Sequence, residues 1–156
     1  MATGCSASID AIQDAMMYLH TGELDACIVG GTDAPLSKTV GGKRPSYVNS
    51  QALGMVENDT IEAVNHMEIF GESVPITSIK GVTGHTFGAS AGMQIISSLI
   101  GMERHFIPST VHAVQNDYPG VPIVYRTIQT QVDSFIVTSH GYGGNNACIF
   151  ISRYER

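Results

Sequence analysis

The sequence predicts an α/β fold in which a mixed sheet is packed with helices, and three observations carry that reading. A helical pattern over residues 6–20 passes after a short connection into an apolar run at 26–29, and a helix joined tightly to a strand marks an α/β layer. A strand-like run at 75–79 leads through small residues into a helix with a broad apolar face. The chain then closes on "DSFIVTSHGYGGNNACIFISRYE", two β-rich runs joined by a glycine loop, which is the pattern of a strand hairpin.

Taken in order, the first helix is set by Ile9, Ile12, Met16 and Leu19 at helical spacing, with Gly22 as its stop. The strand at 26–29 is a continuous apolar run closed by Gly30 and Gly31, as expected of a strand covered on both faces. Residues 36–46 carry no apolar periodicity and read as a loop. Tyr47, Val48 and Asn49 form a short strand. Asp59, followed three residues later by Glu62, has the spacing of a capping box ahead of Ile61, Val64, Met67 and Phe70, and Gly71 ends that second helix. In the third helix Gly92, Ile95, Ile96, Leu99 and Ile100 make up the face expected to be buried.

Composition narrows the function classes. At 156 residues and 43% hydrophobic content the chain suits one globular domain with its own core. Its net charge is -6 and its eight Lys and Arg are scattered, so a nucleic-acid partner is not expected. No apolar run reaches membrane-spanning length and the first residues lack the pattern of a signal peptide, so the expected location is cytoplasmic, with no membrane partner. Cys5, Cys27 and Cys148 are odd in number and far apart, which fits a reducing compartment and gives no metal-ligand spacing. Cys27 and Cys148 sit in apolar strand-like runs, where a thiol acts as a small hydrophobe. Of the histidines, His20 and His66 fall near helix surfaces or ends, His105 and His112 flank a loop, and His140 is expected simply to pack.

Two places invite chemistry. Cys5 precedes the first helix, where backbone N–H groups and the helix dipole favour a thiolate able to attack an ester or thioester carbonyl. Position alone leaves both that reading and an inert buried thiol open. Lys80 and His85 stand five positions apart on the glycine-rich turn "KGVTGH" leading into the third helix, a setting that a solvated lysine would not need.

The segments "TGCSASIDAIQDAMMYLHTGELDACIVGGTDAP", "SIKGVTGHTFGASAGMQ" and "HGYGGNNACIF", in this order, resemble the beta-ketoacyl synthases of the thiolase superfamily. The resemblance implies a partial thiolase-like fold and ketosynthase-type acyl transfer in fatty acid or polyketide biosynthesis. In its terms Cys5 is the nucleophile that takes the acyl chain, His85 one of two catalytic histidines, and Lys80 the lysine that orients His85. It also implies that Tyr142, Gly143 and Gly144 form the loop beside the nucleophile. The N–H groups of Tyr142 and Cys5 would then make an oxyanion hole, with the Tyr142 ring as a gating aromatic. The acyl groups would arrive on the phosphopantetheine of an acyl carrier protein, with no further cofactor and no metal.

At the other histidine position of this family the chain has Gln51, which keeps an N–H2 donor but cannot carry a cation near pH 7. Leu53 and Met55 replace threonines that contact the phosphopantetheine arm. The alternative is therefore an acyl-transfer protein that does not elongate, or an inactive half-domain that pairs with a partner synthase. The resemblance assigns residues 1–40 to the nucleophile helix and strand of the N-terminal half, 41–46 to a junction loop and 47–156 to the C-terminal half, all in one compact domain. Unclosed sheet edges would favour a homo- or hetero-oligomer with a ketosynthase-like partner. A natural or engineered remnant and half of a split enzyme both fit.

Overall fold

The computed structural model describes residues 29–32, for the backbone alone, 43–141 and 146–153. A five-stranded mixed sheet forms its centre, in the order β1 (Val29–Thr32), β7 (Asn146–Ser152), β6 (Ser134–His140), β2 (Tyr47–Asn49), β3 (Ile76–Thr77). The first two pairings are antiparallel and the last two parallel. β4 (Phe106–Ile107) and β5 (Ile128–Gln129) make a separate antiparallel pair.

Parallel neighbours need a crossover, and α1 (Val56–Phe70) supplies it between β2 and β3. After β3 come the one-turn helix α2 (Lys80–Thr83), a 3-10 turn at Phe87–Ala89, and α3 (Ser90–Arg104). The expected hairpin is β6 and β7, in register from Ser134 opposite Ser152 to His140 opposite Asn146. Of the strand read at 26–29 only Val29 lies among the described residues, and Gly30 and Gly31, expected to close that strand, lie inside β1 instead.

Strand alternation sorts the core into two clusters. Tyr47, Phe135, Val137, Ala147, Ile149 and Ile151 point to one face and pack with Ala91, Ile95 and Met102 of α3. Val48, Ile136 and Phe150 point to the other and meet Phe70, Val74 and Ile76. Because both faces are covered, β6 is buried from Ser134 to Ser139 and reads as an unbroken apolar stretch at Phe135, Ile136 and Val137. α3 comes close to β4 at Gly101, where an added Cβ would stand 2.6 Å from the Phe106 carbonyl oxygen.

Three expectations about faces and caps do not hold. α3 turns Ser90, Gln94 and Ser98 inward beside Ala91, Ile95 and Met102, while Met93, Ile96, Leu99 and Ile100 are exposed. The inner ridge must satisfy the polar end of β2, and that requirement overrides hydropathy. In α1, Ala63, His66 and Phe70 are buried whereas Ile61 and Val64 are exposed, and His66 is no surface residue: its Nε2 lies 2.8 Å from the Val74 carbonyl oxygen. Nor is there a capping box. α1 begins at Val56 after Met55 with no side-chain cap, Asp59 lies inside its first turn and accepts from the Gly54 N–H, and Glu62 turns towards the loop after β2. Gly71 does end α1, at a positive φ of 61° and with its N–H on the Met67 carbonyl.

The expected apolar role of Cys148 agrees with its place inside β7, where burial raises its thiol to about 12. Cys5, Cys27, His20 and the helix read at residues 6–20 lie outside the described residues, as do Tyr142, Gly143 and Gly144. Among the described residues no helix is long and apolar enough to cross a membrane.

Candidate active site at the ends of β2 and β3

The chain leaves β2 at Asn49 and enters a loop whose polar groups are tied to four other elements. Asn49, fully buried, donates from Nδ2 to the Gln94 carbonyl at 3.2 Å and to Ser98 Oγ at 3.0 Å, which fixes the strand end against α3. Gln94, also fully buried, donates from Nε2 to the carbonyls of Asn49 at 2.9 Å and Ser50 at 2.8 Å. Its Oε1 accepts from Lys80 Nζ at 3.2 Å. Lys80 is thus a buried lysine, 9% exposed, whose ammonium is held through Gln94 to the Ser50–Gln51 loop. The sequence setting of Lys80 pointed to such a role, whereas Gln94 was masked as one polar residue within an apolar helix.

Gln51 is 2% exposed. Its Nε2 donates to the His140 carbonyl at 3.1 Å, which fixes the orientation of the amide and leaves Oε1 buried with no hydrogen-bond partner. An acceptor stranded in this way costs about 1–3 kcal/mol. Its own N–H is shared between Glu62 Oε1 and Thr138 Oγ1, each at 3.1 Å. The next residue, Ala52, is held at a positive φ of 26°, a strained backbone for a residue with a Cβ, and its N–H donates to Glu62 Oε2 at 2.6 Å.

Glu62 therefore gathers the loop: it also accepts from Ser50 Oγ at 3.0 Å and faces His140 Nε2 at 3.3 Å. Burial alone would raise its pKa, but the His140 ring and the donors from Ala52 and Ser50 outweigh it and hold the carboxyl below its ordinary value. In turn Glu62 raises the pKa of His140, against the opposing effects of burial and of the Lys80 charge. His140 was expected merely to pack; its ring instead faces the Glu62 carboxylate, because β6 ends where α1 brings Glu62 across. Glu62 was hidden by its cap-like spacing, and only the pairing of α1 with β6 reveals it.

His85 follows α2 and stacks against Phe87, ring centroids 5.0 Å apart. Burial first and the Lys80 charge second hold His85 below the ordinary imidazole value, so it is neutral near pH 7. Leu53, Asp59, Glu62, Lys80 and His85 line one cleft of about 470 Å³, closed on its far side by the Thr110–Val111 segment. Three of the residues singled out from the sequence, Leu53, Lys80 and His85, thus meet in this cleft, whereas Gln51 is buried beside it on the His140 carbonyl and Met55 stands 45% exposed at the entry to α1. Among the described residues no group of three or more His, Cys, Asp or Glu could hold a metal ion.

Residues 37–114, half of the chain, match the family model described as beta-ketoacyl synthase, C-terminal domain. The 3-oxoacyl-[acyl-carrier-protein] synthase 1 of Escherichia coli K12 is 29% identical over 128 residues, which cover 80% of this chain and 29% of that protein. Among solved structures, the ishigamide ketosynthase/chain length factor superposes with a TM-score of 0.66 at 23% identity, over 71% of this chain and 28% of that one. A type II PKS acyl-carrier protein in complex with its ketosynthase gives a TM-score of 0.65 at 18% identity, again over 71% of this chain and 28% of that one. The two structures share the thiolase-like fold of the sheet and helices described above. The chain spans less than a third of the length of these relatives.

Proposed function

The chain belongs to the beta-ketoacyl synthase family, and on that premise we propose that it carries out ketosynthase-type acyl transfer in fatty acid or polyketide biosynthesis, with Cys5 as the acyl acceptor. The observation that supports this most is the buried Lys80, bonded to Gln94 and through it to the Gln51 loop, on the turn that leads to a neutral His85. A lysine is buried at this depth only where its ammonium is needed and satisfied.

In the transfer step the Cys5 sulfur attacks the carbonyl of an acyl thioester on the phosphopantetheine arm of an acyl carrier protein. The carrier sulfur leaves as the new thioester forms, and the proton released from Cys5 passes to the departing thiolate. Neutral His85 can donate a hydrogen bond to a thioester oxygen at the cleft, while Lys80 maintains the electrostatic setting that keeps the ring uncharged. The Tyr142–Gly143–Gly144 loop and the Cys5 N–H would supply the oxyanion donors.

A second reading, transfer without elongation, is favoured by Gln51. Its Nε2 already donates to the His140 carbonyl and its other amide atom is an acceptor, so no side-chain donor of Gln51 is presented to the cleft to stabilise the negative charge that grows when a malonyl group loses carbon dioxide. Both readings allow a ketosynthase-like partner subunit to complete the site. The test is intact-mass measurement after incubation with acyl carrier protein thioesters, alone and with such a partner. A stoichiometric adduct that disappears in Cys5→Ala supports acyl transfer, and its absence under both conditions overturns it. Supplying malonyl carrier protein to the acylated chain then separates the two: a β-ketoacyl product means elongation, and an acyl group that only exchanges between carriers means transfer alone.

A further inference from the structure

Beside the bond from its N–H to Thr138 Oγ1, Gln51 is held from two sides by groups that meet at His140. On one side the His140 carbonyl accepts from Gln51 Nε2 at 3.1 Å. On the other, Glu62 takes the main-chain N–H groups of Gln51 and Ala52, at 3.1 and 2.6 Å, and His140 Nε2 faces the same carboxylate at 3.3 Å. The second ring nitrogen, Nδ1, lies 3.0 Å from Asn146 Oδ1 across the β6–β7 pair. With an oxygen opposite each nitrogen, the imidazolium is the form that donates to both. The Ala52 backbone, at a φ of 26°, would relax if the carboxylate let go, so this contact works against a stored strain.

We propose that His140 is a positioning residue for Gln51: its ring fixes the Glu62 carboxylate that carries the Gln51–Ala52 main chain, and its own carbonyl fixes the Gln51 amide.

The groups around His140 are consistent with that role. From α1 it meets Glu62 and, along the same groove, His66, which burial keeps neutral near pH 7. From β7 it meets Asn146 and Cys148, whose thiol stays protonated. From α2 the Lys80 charge opposes its protonation, and Glu62 supplies the negative charge that prevails. As pH rises and His140 loses its proton, the ring keeps a single N–H for Glu62 and Asn146 to share and loses its charge, so the charge-assisted hold on the Glu62 carboxylate weakens, and with it the hold on the Gln51 and Ala52 N–H groups. On the acyl-transfer reading, which gives Gln51 the place of a catalytic histidine, the proton on His140 therefore sets where that amide stands.

The experiment follows the full chain, labelled with 15N, by NMR from about pH 5 to about pH 9, a range that brackets an imidazole titration. The Gln51 side-chain amide and the Gln51 and Ala52 main-chain N–H signals are expected to move together, with one midpoint shared with the His140 ring. Their hydrogen exchange, corrected for its intrinsic pH dependence, is expected to rise about twofold across that midpoint, as suits one charge-assisted contact that is screened at a partly exposed ring. His140→Phe, which keeps an aromatic of similar shape and the carbonyl, should abolish the step. Should that variant not fold, Glu62→Gln serves instead, and brings the His140 midpoint down towards the ordinary imidazole value. Gln51 and Ala52 signals that stay fixed while His140 titrates, or a step that survives in His140→Phe, overturn the proposal. The Cys5 adduct is measured on the same wild-type sample: no adduct with the linked titration intact removes the acyl-transfer reading alone, and an adduct without the linked titration removes the positioning role alone.

Discussion

Two glutamines are buried on either side of Ser50, Gln94 with no exposure and Gln51 with 2%, and the structure uses them in opposite ways. Gln94 is bonded at both ends of its amide: Nε2 donates to two carbonyls of the β2 loop and Oε1 accepts from Lys80. Gln51 is bonded at one end, leaving Oε1 unmatched in the interior. A fully matched buried amide joins elements, whereas a half-matched one is a cost that the fold alone does not explain. The difference separates a glutamine that joins elements from one that the fold leaves half-matched.

The largest break in that comparison is Gln94→Leu. It strands the Asn49 and Ser50 carbonyls and removes a hydrogen-bond partner of the buried Lys80 ammonium, so a loss of about 3–5 kcal/mol is expected. Urea denaturation should show a much lower midpoint at an unchanged slope. Gln51→Leu, a change of similar volume, deletes one good hydrogen bond but also the stranded oxygen, so its effect should stay within about 1 kcal/mol in the same measurement. If the two variants lose equal stability, Gln51 is as structural as Gln94 and the contrast fails.

A finer distinction comes from pH, because Gln51 alone is tied to an ion pair. The Glu62 carboxyl lies below its ordinary value, so its contribution is present above the unfolded pKa and is lost as pH falls through the lowered one. His140 lies above the ordinary imidazole value, so its contribution is complete below the unfolded pKa and is lost as pH rises through the raised one. The pair therefore stabilises most between these limits. The His140 side chain is 36% exposed and its share is screened, so the alkaline decline should amount to about 0.5 kcal/mol. Thermal unfolding measured from mildly acid to mildly alkaline pH should show that decline in the wild type and a flatter profile in Glu62→Gln.

Much of this was legible beforehand. Tyr47–Asn49 is the strand that its residues suggested, Gly71 ends α1, and the glycine-linked β runs are the hairpin of β6 and β7. Lys80 and His85 could be picked out because a lysine and a histidine on a glycine-rich turn are unusual in themselves. The face of α3 could not be read in the same way. Hydropathy put Ile96, Leu99 and Ile100 inside, yet Gln94 and Ser98 occupy the interior because buried backbone and amide groups at the end of β2 require partners, and an exposed Leu or Ile costs less than an orphaned carbonyl. Glu62 and His140 were equally hidden: one had the spacing of a helix cap and the other the look of a packing aromatic.

By itself, then, the sequence determined the strand at Tyr47–Asn49, the two longer helices and the closing hairpin, and by its motifs the family to which the chain belongs, since both depend on local pattern and on the order of short segments. Only the tertiary structure decided which side chains face the interior, that Glu62 of α1 meets His140 of β6, and that one buried glutamine is saturated while the other is not. Those outcomes depend on hydrogen-bond partners that are 14 to 89 residues apart along the chain, and no local pattern encodes whether such partners meet.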